Sequence, residues 1–247
     1  MSAFETVLFE KRGPVAWVTL NRPQAMNVHN VQMRDDLWEV LGAVKADEEV
    51  RAVVVQGAGD RAFCAGADLS EFLSAPPPTE ARQVRFDRDL WGLFLSVPQP
   101  IVAALHGYVL GSGIEIALCC DLRIAMENAV FGLPEVGLGL IPAAGGTQTV
   151  PRSLSRGLAV EMLLANRWLT AQEALAAGWI SRLVKSREEL DATAEETARG
   201  LAGLDLTLVR AAKQAVHRGL DLPLPQALDM ERRLALGVAG AHREPIS

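Results

Sequence analysis

The stretch PIVAALHGYVLGSGIEIALCCDLRIA, residues 100–125, places a strand, a glycine-rich turn, a helix and a second strand in one short passage. IVAAL at 101–105 is a continuous apolar run of strand length, HGYVLGSG interrupts it, and residues 112–119 continue as a helix. LRIA at 122–125 returns to strand. Strands joined through a helix in this way run parallel, so the order predicts an α/β layered fold with crossover connections.

Working outward, AVVVQG at 52–57 reads as another apolar strand, closed by GAGD, and PVAWVTL at 14–20 alternates in strand fashion after the turn-like KRG. NRPQAMN at 21–27 reads as a loop, and residues 31–45 have helical spacing. At 74–79, SAPPPT carries three consecutive prolines and predicts a surface loop ahead of a helix at 80–96. Mobility there would suit a lid. After about residue 186 the strands stop, and REELDATAEETARGLAGL, DLTLVRAAKQAVHRGL and PLPQALDMERRLALGVAG read as amphipathic helices. The expected organisation is a main body over 1–186 and a helical region over 187–247. So few helices scarcely form a core alone, so they are expected to pack on the body or on a neighbouring subunit.

With 247 residues, 49% apolar and 22% charged, the chain can bury a full core. Its net charge of −6, with Lys and Arg scattered, offers no phosphate-tracking surface, so no nucleic-acid partner is expected. MSAFETVLFEKRG has no signal-peptide pattern and no run reaches the length of a membrane span, so no membrane partner and a cytoplasmic location are expected. Cys64, Cys119 and Cys120 lack zinc-like spacing and are expected to be reduced and buried. His29, His106, His217 and His242 are scattered, so no metal is expected.

Candidate chemistry lies in three segments, each with a plainer reading beside it. In FCAGADL, 63–69, small residues after a strand can expose successive N–H groups, with Ala67 N–H as an oxyanion donor and Gly66 permitting close approach. The plainer reading is a strand-to-helix turn capped by Asp68. In GSGIEIALCCD, 111–121, the N–H of Ser112 could complete an oxyanion pair at a helix start and Glu115 could act as an acid or base. Ser-x-x-Glu is equally a capping box. In FGLPEVGLGLIPAAGGTQ, 131–148, Glu135 follows Pro134 amid apolar residues with no nearby cation, which would raise its pKa; a solvated first-turn Glu is the alternative. Ala144, Gly145 and Gly146 read as a tight turn that seats something closely. Trp91, Phe94 and Leu95 could line an acyl pocket, but at helical spacing they read first as core.

Taken in this order, VTLNRPQAMN, AVVVQGAGDRAFCAGADL, the 100–125 stretch, FGLPEVGLGLIPAAGGTQTVPR and LLANRWLTAQEALAAGWISRLV resemble the crotonase superfamily, also called the enoyl-CoA hydratase/isomerase family. The resemblance covers nearly the whole chain. It implies a spiral of ββα units with C-terminal helices that serve trimer formation, and a homotrimer or a hexamer made as a dimer of trimers. It also implies an acyl-CoA thioester whose carbonyl oxygen sits between the N–H groups of Ala67 and Ser112, with coenzyme A arriving as part of the substrate and no separate cofactor. Gln24, Ala25 and Met26, the backbone of Ala65, Gly66, Asp68 and Leu69, and Gly111 match substrate-cradling positions. Glu115 and Glu135 match the acid–base pair of the hydratases, which add water to a trans-2-enoyl-CoA; isomerase branches usually keep the second alone. Double-bond isomerisation, dehydration of a specialised hydroxyacyl-CoA and a non-catalytic binding role are the competing implications. Departures from the family pattern are Ser112 and Ala143 in place of glycine, Gln24 at an often basic position, Thr149 in place of arginine, and LGVAGAHREPIS without the customary last helix.

Overall fold

The computed structural model describes residues 4–73 and 88–241. Its spine is a six-stranded sheet in the order β1-β2-β3-β5-β7-β10, formed by β1 (Val7–Arg12), β2 (Val15–Leu20), β3 (Ala52–Gly57), β5 (Ile101–Leu105), β7 (Leu122–Met126) and β10 (Arg182–Val184). From β2 onward all neighbours are parallel. The strand β1 was not expected: only Val7 in it is buried, and VLFEKR at a sheet edge gives no apolar alternation to read. It pairs antiparallel with β2 across Gly13, whose φ of 63° suits glycine.

A second sheet, β4-β6-β8-β9, holds β4 (Ala62–Cys64), β6 (Tyr108–Leu110), β8 (Val130–Gly132) and β9 (Leu169–Thr170). The chain therefore alternates, one strand in the large sheet, one in the small, then helix, and repeats this from β3. That repetition is the ββα spiral.

Side-chain alternation sorts the layers. Val53, Val55, Ile101, Ala103 and Leu105 face the main core with Leu37, Leu41 and Val44 of α1 (Val31–Ala46). Asn30 starts α1 by accepting from Met33 N. Ala52, Val54, Val102 and Ala104 face the opposite layer, where Leu190, Ala194, Ala198 and Ala202 line up at four-residue intervals. Other helices are α2 (Leu69–Leu73), α3 (Leu90–Ser96), α4 (Ser112–Leu118), α5 (Gly146–Ser153), α6 (Arg156–Leu164) and α7 (Ala171–Ala176). SAPPPT, the lid idea and residues 80–87 of the expected 80–96 helix lie outside the described residues.

The C-terminal helices divide into two roles. α8 (Arg187–Ala202) supplies the four-residue stripe that covers the large sheet. α9 (Leu206–Gly219) and α10 (Leu224–Ala241) lie against each other, and no residue of α9 is buried. What fixes α9 to the body is polar: Asp121 accepts from Lys213 Nζ at 2.7 Å and lies 2.7 Å from His217 Nε2, while Lys213 also donates to the Gln99 carbonyl. Asp121 lies at the end of the turn after α4, and its carboxylate also accepts from Ile101 N. No described helix is long and apolar enough to cross a membrane.

Candidate active site

The site forms where β4 and β6 end. These strands are parallel with Cys64 opposite Val109, and each runs three residues further into a turn, reaching Ala67 and Ser112. Equal offsets from one paired position bring the two N–H-bearing turns side by side. Contact distances agree, since a Cβ built on Gly111 would lie 3.4 Å from Gly66 Cα. Around Ala67 the ladder to His29 uses the Gly66 carbonyl and the Asp68 N–H, so the groups of Ala67 itself point the other way. Ser112 is the first residue of α4, where a helix leaves its N–H without an internal partner.

Gly111, not Ser112, occupies the N-cap, and it makes no side-chain cap bond. The capping-box reading of Ser112 and Glu115 is therefore not realised. Instead Glu115 is buried and turned toward the 144–146 turn, where its Oε1 accepts from Ala144 N at 3.0 Å and Gly146 N at 2.9 Å. The tight turn thus seats a carboxylate. Gly146 is needed for the approach, because a Cβ there would lie 3.1 Å from that oxygen and 3.0 Å from Pro142 Cβ. Burial pushes the Glu115 carboxyl up to about 7, the charge of Glu135 adds to this, and the amides of Gly146 and Ala144 oppose it.

Glu135 precedes a single 3-10 turn, Val136–Leu138. Its Oε1 lies 2.7 Å from the Cβ position of Gly111, so a side chain there would collide with it. Its Oε2 is buried without a hydrogen-bond partner among the described residues. Burial raises this carboxyl as well. Among the described residues neither glutamate has an ion-pair partner. The two acids lie within electrostatic reach of each other beside Gly111 and the paired turns.

The 22–29 segment packs onto the 62–68 segment. Pro23–Ala25 form a 3-10 turn, and Met26 and Asn27 follow at φ 51° and 54°. Met26 O accepts from Ala65 N. Gln24 is exposed, and Ala25 and Met26 are half-buried beside Ala65 and Gly66. Asp68 pairs with Arg22 at 2.9 Å and accepts from Ser70, so its carboxylate is used internally and α2 begins under it, as the plainer reading had it. Leu69 is exposed at the start of α2.

Several residues escaped the sequence reading. Buried Asn27 donates to the Ala58 and Ala62 carbonyls and accepts from Arg22 N, locking the 22–29 turn to β4. An Asn after a Pro-containing loop is a weak signal for such a left-handed position. Phe94 is core, but Trp91 is half-buried with its ring 5.9 Å from that of His29, the residue opposite Ala67. Among the described residues no group of His, Cys, Asp or Glu could hold a metal ion. All three cysteines are buried thiols.

Two neighbouring turns at the ends of β4 and β6, with buried Glu115 and half-buried Glu135 beside them, thus meet on a ββα spiral. The chain belongs to the enoyl-CoA hydratase/isomerase family, whose sequence model matches residues 10–241. It is 39% identical over 224 residues to (E)-benzylidenesuccinyl-CoA hydratase of Thauera aromatica, covering 90% of this chain and 86% of that one. To short-chain-enoyl-CoA hydratase of Clostridium acetobutylicum it is 37% identical over 225 residues, covering 91% and 86%. The solved enoyl-CoA hydratase of Bacillus anthracis superposes with a TM-score of 0.91 at 34% identity, covering 96% of this chain and 92% of that one.

Proposed function

We propose that this chain is a hydro-lyase that adds water, reversibly and syn, across the double bond of a trans-2-enoyl-CoA to give a 3-hydroxyacyl-CoA. The observation that carries the reading is the pair of carboxylates, buried Glu115 at the 144–146 turn and half-buried Glu135 at Gly111, next to the turns that bear Ala67 and Ser112. In this reading the thioester oxygen accepts from the N–H groups of Ala67 and Ser112, which makes C3 electrophilic and stabilises the enolate-like charge. Each such donor is worth about 3 kcal/mol of barrier. Glu115 orients one water and takes its proton as the oxygen bonds to C3; Glu135 delivers a proton to C2. Dehydration runs the same steps backwards.

Gln24, Ala25 and Met26 with the backbone of Ala65, Gly66, Asp68, Leu69 and Gly111 would cradle the coenzyme A portion, which belongs to the substrate, so no separate cofactor takes part. Assembly into a homotrimer, or a dimer of trimers, fits the apolar side chains displayed on and around α9 and α10, where Leu220 is 76% and Leu236 67% exposed. Three buried free thiols suit the reducing cytoplasm. The two relatives carry different acyl groups in their names at nearly equal identity, so chain length is a matter for a substrate panel.

Loss of enoyl absorbance with crotonyl-CoA tests the reaction. Absence of hydration across the panel, with acetoacetyl-CoA still bound, would transfer the proposal to isomerisation or to dehydration of a specialised hydroxyacyl-CoA. Replacing Glu135 by Gln is expected to lower kcat at least about a hundredfold while thioester binding is retained. Turnover at the wild-type rate in that variant would remove Glu135 from the chemistry.

A further inference from the structure

Ser112 has a side chain as well as a main-chain donor to offer. It is the first residue of α4, and Glu115 lies three positions on, which puts both on one helical face. The usual task of a serine at a helix start, capping, is closed to it because Gly111 holds the cap. Both residues are buried, Ser112 at 8% exposure and Glu115 at 3%. Glu115 is already gripped from outside its helix, with Oε1 held by Ala144 and Gly146.

We propose that the Ser112 hydroxyl is a positioning group for Glu115, donating to its carboxylate from within α4 while the 144–146 turn donates from outside. The proposal rests on the hydratase reading for its catalytic meaning. Physically, a donor aimed at a buried carboxylate favours the ionised form and restricts the carboxylate's rotation. The hydroxyl acts on Glu115 in that sense, lowering a pKa that burial and the charge of Glu135, the facing acid, have raised. The consequence is a base that is more fully ionised near neutral pH than burial alone would allow.

The test follows the Glu115 carboxyl directly, by carbon-13 NMR titration with Glu115→Gln assigning the signal, alongside pH profiles of kcat and KM for crotonyl-CoA. Ser112→Ala keeps the main-chain donor and is expected to move the Glu115 midpoint upward by about one pH unit. The acid limb of kcat should move by the same amount, with KM nearly unchanged, and Ser112→Thr should restore both. Ser112→Gly, which also keeps the N–H, should shift like alanine and serves if alanine disturbs folding. A Glu115 midpoint that stays put in both Ala and Gly variants overturns the proposal. A midpoint that moves in a protein that hydrates no enoyl-CoA supports the hydroxyl contact and overturns the hydratase reading instead.

Discussion

Glu115 sets the residue scale, because burial makes it costly to ionise. Its folded value of about 7 stands above the ordinary 4.5, so the stability it confers is complete below the ordinary value and is lost as pH rises through about 7. Glutamine cannot ionise there. Glu115→Gln should therefore melt higher than wild type by about 2–6 °C at pH 8, with the gap closing toward pH 5. Scanning calorimetry across that range checks it, and a gap that widens in acid would contradict the assignment of burial as the cause. Glu115 and Glu135 were legible as candidates because each is an acid in an apolar run near a helix start. What the sequence did not disclose is what each carboxylate meets: the amides of Ala144 and Gly146 are thirty or so positions from Glu115 and become neighbours through packing alone.

Elements explain why the paired turns exist. β4 and β6 are three residues each, too short to display alternation, and neither was read from the sequence; yet their parallel pairing brings the turn at Gly66 against the turn at Gly111. By contrast β3, β5 and β7 were legible from apolar runs, and α1, α4 and the three C-terminal helices from spacing. An element-level test uses the first position of α4, where proline is structurally welcome and lacks only the N–H. Ser112→Pro should retain the fold yet lose about a hundredfold or more in kcat beyond Ser112→Ala. Equal kcat in the two variants, with matching circular dichroism, would dismiss that N–H as a proposed donor.

The whole molecule is held to its C-terminal hairpin by few contacts. The 187–247 region was expected to dock on the body or on another subunit, and its described helices differ: α8 completes the core, while α9 has no fully buried residue, packs on α10 and is anchored to the body through Asp121. Periodicity reveals that a helix has an apolar face but not what covers it, which is why this split was not legible. Asp121→Ala strands Lys213 and the Ile101 N–H, and is expected to cost about 3 kcal/mol. Hydrogen exchange should then quicken across 206–241 while β3 and β5 stay protected; uniform protection would show that the anchor is dispensable. Asp121 is also the residue at which the helix bearing Ser112 and Glu115 hands the chain on to β7. If the proposed trimer forms through this hairpin, a neighbouring protomer would steady, through one carboxylate, the helix that bears Ser112 and Glu115, and specific activity is expected to decline on dilution.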